Sequence, residues 1–152
     1  MLRRLVLAGG LVAVIAGSGA LTAAPAGSAD RGCSRPDDPI RVAFSRDDYP
    51  HIIEHIKESW DLGYPKVLKI NREGADRRRD KLLNRRDADG DLLYPTRDGF
   101  DRDEAPAAVL RKKADADVEY VKSSENRAAG ASLGGQISGY CDGTKVKYRF
   151  TR

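Results

Sequence analysis

Ile40-Arg41-Val42-Ala43-Phe44 alternates apolar and polar side chains, which predicts a strand. A turn over Ser45 to Asp48 follows, and Pro50 suits the first turn of a helix. Tyr49, Ile52, Ile53, Ile56 and Trp60 then recur at helical spacing and define one apolar face, ending near Leu62 at Gly63. Lys66 to Ile70 is a second strand candidate, and Glu73 to Leu83 a short, very basic helix. Asn84 to Gly99 is polar and predicts a long loop with room for a short hairpin. The charged run before Pro106 predicts a loop entering a helix over Pro106 to Lys113, with Asp103 or Glu104 as its cap. Asp117 to Lys122 alternates and predicts a strand, Ser123 to Glu125 a turn, and Arg127 to Ile137 a loose, glycine-interrupted helix. Asp142-Gly143 predicts a hairpin turn into the clearest strand, Lys145 to Phe150. The order of elements predicts an α+β fold: one small domain, with a short antiparallel sheet and helices. No internal repeat is present.

The N-terminus changes what counts as the folded chain. Met1-Leu2-Arg3-Arg4 is basic, Leu5 to Ile15 is apolar, and small residues lead to Ala29. This pattern predicts a secretory signal peptide over residues 1–29 and excludes a good membrane span, because the apolar run is too short. Residues 30–39 then predict an extended arm and 40–152 the folded domain. A secreted, extracellular protein is expected, with no membrane attachment after cleavage and no feature that calls for an oligomer, hence a monomer. Leaving out Arg3 and Arg4 takes the 27 basic residues to 25 against 23 acidic ones, a net charge of +2. Any affinity for nucleic acid must therefore come from how charge is distributed. In an exported chain, Cys33 and Cys141 are expected to pair.

Gly99-Phe100-Asp101-Arg102-Asp103-Glu104-Ala105-Pro106 packs three carboxylates and a guanidinium into one stretch. Like charges this close need a counter-charge, either a divalent metal or nearby arginines. Hydrolysis of a phosphodiester needs the same mixture: acids to hold metal and accept a proton, and arginine to neutralise phosphoryl oxygens. Glu125-Asn126-Arg127, followed by small residues through Ser132, is a second unusual stretch. It offers a neutral oxygen donor for a hard metal and a bidentate phosphate donor. Arg77-Arg78-Arg79 with Lys81, Arg85 and Arg86 could contact phosphate or form a solvated face. His51-Ile52-Ile53-Glu54-His55 matches the inverted zinc-peptidase pattern, in which His51 and His55 would grip zinc one turn apart. Asp87, Asp89 and Asp91 suggest a surface Ca2+ loop, although Gly90 falls at the fourth place rather than the sixth.

Several pieces occur in a fixed order: Tyr49-Pro50, His55-Ile56, Asp101-Arg102-Asp103-Glu104 with Pro106, Asp117-Val118 with Tyr120-Val121, Asn126-Arg127 with Gly130 and Ser132, and Gln136 with Ser138-Gly139-Tyr140. The series resembles the NucA/NucB family of secreted bacterial deoxyribonucleases, over roughly Ile40 to Phe150. The resemblance implies a ββα-metal-like active site and endonucleolytic cleavage of DNA with Mg2+ or Mn2+. It implies Asp103 or Glu104 as the general base, Asn126 as a metal ligand with Asp103 or Gln136, and Arg102 and Arg127 on the phosphate. It also implies that Glu104 and Asn126 share one pocket. Ala105 and Leu133 stand where the family has tryptophan, and Gly135 where it has asparagine. These departures supply the competing reading, a secreted DNA-binding or interaction module that has lost catalysis.

Overall fold

A computed structural model describes residues 32–152; the predicted signal peptide lies outside the described residues. The elements are β1 (Ile40–Ser45), α1 (Pro50–Asp61), β2 (Leu68–Lys69), α2 (Ala75–Leu83), β3 (Phe100–Ala105), β4 (Asp117–Lys122), α3 (Ser123–Ile137) and β5 (Lys145–Thr151). A single 3-10 turn, Ala108–Leu110, stands where the sequence predicts a helix after Pro106. Among the described residues, no helix is long and apolar enough to cross a membrane.

The fold is α+β, as the pattern predicts, with strands in two groups. β3 and β4 pair antiparallel. The other sheet runs β1-β5-β2 and is mixed: β5 lies parallel to β1 and antiparallel to β2. The short antiparallel sheet that the pattern predicts is present as β3-β4, and the larger sheet adds one parallel pair, β1 with β5. Asp142-Gly143 does make a turn, with Gly143 at φ 88° and Thr144 N–H donating to Cys141 O. No strand precedes that turn, so the predicted hairpin is absent and β5 passes on between β1 and β2. Local turn chemistry reports the reversal but not the partner.

The apolar stripe on α1 is buried as its spacing predicts. Ile52, Ile53 and Ile56 pack with Val42 and Phe44 of β1, Val146 of β5, and Ala129, Leu133 and Ile137 of α3. Gly63, at φ 92°, ends α1 where the sequence predicts. The start of α1 is capped from outside: Glu125 of α3 accepts hydrogen bonds from the His51 and Ile52 N–H groups at 2.8 and 3.2 Å. A carboxylate there satisfies otherwise unpaired amides and matches the positive end of the helix.

α3 is one continuous helix that begins at the predicted turn, and its glycines do not break it. A Cβ added at Gly135 meets no atom within 4 Å, and the backbone there is ordinary helix. Gly135→Ala is therefore expected to raise stability by about 0.5–1 kcal/mol, seen as a higher Tm. A lower Tm would show that the exposed face of α3 is under a constraint not visible in its contacts.

The N-terminal arm is tied down at two points. Ser34 N–H donates to Gly139 O and Cys141 N–H to Ser34 O, both at 2.9 Å. Cys33 and Cys141 form the expected disulfide, across 108 residues of sequence. Replacing both by serine is expected to lower unfolding free energy by about 2–5 kcal/mol in urea, because so long a loop loses much entropy on closure. A loss under about 1 kcal/mol would mean that the arm's hydrogen bonds suffice.

Candidate active site

The charged run forms a strand rather than the predicted loop. β3 pairs residue for residue with β4, from Phe100 opposite Lys122 to Ala105 opposite Asp117. Pairing as a strand also separates the crowded acids. Alternate side chains point to opposite faces, so Asp101 and Asp103 face α1 and α3, while Arg102 and Glu104 face α2 and the loop after it. The Arg102 guanidinium donates to Tyr94 O at 3.0 Å and Leu83 O at 3.3 Å.

Each carboxylate has its own partner. Asp101 accepts hydrogen bonds from Arg127 Nε at 3.0 Å and Ser123 Oγ at 2.8 Å. The Arg127 hydrogen bond leads the effects that hold the Asp101 carboxyl below its usual range; burial is the next largest and opposes it, and the Ser123 and Asn126 hydrogen bonds add to the lowering. Asp101 therefore does not act as the bare negative neighbour that would raise the proton affinity of a base beside it. Asp103 Oδ2 lies 2.7 Å from His55 Nδ1, and the His55 ring is fully buried. A carboxylate can only accept, so Nδ1 carries the proton. Burial works against charge on His55, but the hydrogen bond to Asp103 and the charges of Asp103, Glu119 and Asp117 outweigh it and raise its pKa above the ordinary 6.5. Glu104 is buried between two guanidinium groups. Arg111 Nη2 sits 2.6 Å from Oε2 and Arg79 Nε donates to Oε1 at 3.0 Å.

β3 runs along a cleft of about 620 Å3, lined on the α3 side by Asn126, Arg127, Gly130 and Gly134 and on the α2 side by Arg79 and Leu83. Asp101, Arg102, Asp103 and Glu104 all line it, and so does Arg72. The two unusual stretches of the sequence thus meet in one pocket, with Glu104 and Asn126 on the same cleft.

No family model matches the chain. The chain is 37% identical over 108 residues to the DNA-entry nuclease of Bacillus subtilis (strain 168), covering 70% of this chain and 68% of the relative. The chain belongs to the NucA/NucB family of nucleases. The two departures from that family's pattern at Ala105 and Leu133 both border the cleft. Ala105 and Leu133, at its tryptophan positions, are buried at 2% and 7% exposure.

Other candidates from the sequence fall elsewhere in this NucA/NucB chain. Gln136 is not among the residues lining the cleft. Its amide pairs with the β1 backbone, accepting from Ala43 N–H at 2.7 Å and donating to Ala43 O at 2.9 Å. His51 is held by Glu125 at 2.7 Å on the exposed side of α1, so His51 and His55 do not grip a common ion. Asp87 shapes a turn: its Oδ1 accepts the Asp89 and Asp91 N–H groups at 3.0 and 2.9 Å. Within the basic block, Arg79 reaches the cleft, while Arg78 donates to the carbonyls of Asn71, Glu73 and Ala108. Arg79 and Arg111 as clamps on Glu104, and His55 as the partner of Asp103, were not legible as such. The H-x-x-E-H spacing marks His55, but points to a different chemistry.

Proposed function

We propose that this chain is a secreted, divalent-metal-dependent endonuclease that hydrolyses DNA phosphodiester bonds in the cleft beside β3, with Asp103 as general base. The observation that carries this reading is the meeting of Asp103 with Asn126 and Arg127 in one arginine-lined cleft. The printed function of the Bacillus subtilis relative, a DNA-entry nuclease, supports DNA as substrate. The disulfide supports an extracellular setting.

Arg127 is 74% exposed and Arg79 53% exposed on their side chains, so both can meet a phosphate backbone arriving from solvent. Arg127 is oriented by Asp101, which leaves its fork pre-arranged. The donors in the cleft fit a hard cation such as Mg2+ or Mn2+, since Asn126, whose amide N–H donates to Asp101, keeps its amide oxygen as a neutral donor and no thiol is present. Asn126 would hold the ion with Asp101 beside it. An ion held there would supply positive charge to offset the charge that develops on the phosphoryl oxygens.

Asp103 is better placed than Glu104 to move a proton. His55 takes one oxygen of Asp103 and fixes the plane of the carboxylate, and the other oxygen takes the proton of a water as that water adds to phosphorus. The bond from phosphorus to the leaving sugar oxygen breaks, that oxygen takes a proton from solvent water, and Asp103 returns its proton to solvent. Glu104 has both oxygens on guanidinium groups and holds β3 against α2.

Closed circular plasmid DNA tests the reading, because it has no ends. With Mg2+ or Mn2+, nicked and linear forms are expected; with excess EDTA, neither. Full cleavage in EDTA would remove the metal from the mechanism. Intact plasmid under every condition, with DNA still bound, would support the inactive module.

A further inference from the structure

One group of side chains meets on the far side of the His55 ring, and apart from His55 itself it plays no part in the chemistry above. His55 and Glu58 lie three apart on α1 and so share a face, as do Asp117 and Glu119, two apart on β4. Where these faces meet, ligand atoms of His55, Asp117 and Glu119 lie within 4.8 Å of one another. His55 Nε2 is aimed into this group. The ring is fully buried and Nε2 makes no hydrogen bond, although Asp117 Oδ2 is 3.3 Å away. A buried ring nitrogen left bare is costly. The same 3.3 Å is about the ligand-to-ligand distance on a tetrahedral ion with bonds of about 2.0–2.1 Å.

We propose that His55 Nε2, Asp117 and Glu119 form a second cation site, suited to zinc, behind the catalytic cleft. The donors favour that ion over the hard cation of the cleft, because imidazole nitrogen suits zinc and two carboxylates balance its charge. Three protein ligands leave a fourth position for water or for Glu58, which is exposed and hydrogen-bonds Glu119. Asp117 is 26% exposed on its side chain, which leaves a way in. Without a cation the carboxylates crowd one another: burial, with the Glu58 hydrogen bond, pushes the Glu119 carboxyl up to about 7.

The opposite side of the ring completes the arrangement. Metal-bound histidines commonly donate their other ring N–H to a carboxylate, which sets ring orientation and tautomer. Here that carboxylate is Asp103, 2.7 Å from Nδ1. An ion on Nε2 would keep the proton on Nδ1 and hold Asp103 in one orientation. This consequence for Asp103 rests on the nuclease reading; the site itself does not. It also differs from the zinc-peptidase pattern, since His51 is not a ligand.

The test uses the full-length mature protein, stripped with chelator, dialysed, and titrated with Zn2+ by calorimetry without DNA. One Zn2+ per chain at micromolar or tighter affinity is expected, with Co2+ giving the intense visible absorption of a four-coordinate site. Binding should be lost in Asp117→Asn/Glu119→Gln and kept in His51→Ala and Asn126→Ala. The amide replacements keep shape, and circular dichroism checks the fold. Nitrogen NMR of the wild type gives an independent readout, in which Zn2+ should shift the His55 Nε2 resonance and leave His51 unmoved. Wild-type binding weaker than millimolar, loss in His51→Ala, retention in the folded double variant, or an unmoved His55 resonance would each overturn the site. In that case His55 is an imidazolium shared by two carboxylates. Zinc binding without plasmid cleavage would instead sink the nuclease reading alone.

Discussion

Asp103→Asn is expected to slow plasmid cleavage by about a hundredfold to ten-thousandfold, the range over which a positioned general base acts. The substitution changes almost nothing else. The asparagine oxygen can still accept the His55 Nδ1 proton, the side chain keeps its volume, and β3 keeps its register with β4. Affinity for DNA, read by fluorescence anisotropy under EDTA, should therefore hold or rise slightly, since one negative charge leaves the cleft. Kinetics and binding together separate a chemical role from a structural one. A variant that cleaves at the wild-type rate would remove Asp103 as the base. A variant that neither binds nor folds would return Asp103 to the role of a strap on His55.

Glu104→Ala is expected to act on stability first, by about 3–5 kcal/mol in urea or guanidinium unfolding. The reason is what the substitution leaves behind. Arg111 is only 5% exposed on its side chain, and its remaining partners are the carbonyls of Pro106 and Lys113. A buried guanidinium stripped of its carboxylate carries the full cost of desolvation. Arg79→Ala removes the other clamp, but that side chain is 53% exposed, so a much smaller loss should follow. Replacing Glu104 and Arg111 together by leucine and methionine should recover most of the deficit, because no charge is then stranded. If Glu104→Gln instead leaves the unfolding midpoint unchanged and abolishes cleavage, Glu104 is the base and the assignment to Asp103 is wrong.

Elements governed by local rules were legible in the sequence. The α1 stripe, its end at Gly63, and strands β1, β4 and β5 follow from periodicity and one glycine. β3 was not legible, because four charged residues in a row have no apolar alternation. They form a strand only because partners on three other elements receive them: Arg127 and Ser123 on α3, His55 on α1, and Arg79 on α2. The same limit applies to the site. The residue types of the two motifs told which side chains bear on chemistry, while their division of labour depended on which face of β3 each occupied. Gln136 illustrates the converse. A polar side chain near the motifs looked like a ligand, yet its amide is matched to one backbone unit of β1. Parallel pairing of β1 with β5, more than a hundred residues apart in sequence, has no local signal at all.

The covalent link from Cys33 to Cys141 has a consequence for how the chain responds to proteolysis. The exposed segment between α2 and β3 lies inside the ring that this link closes. A single proteolytic nick there would open the ring but leave both fragments joined. Such a clipped form would keep the full-length mass on a denaturing gel until a reductant separates it into two bands.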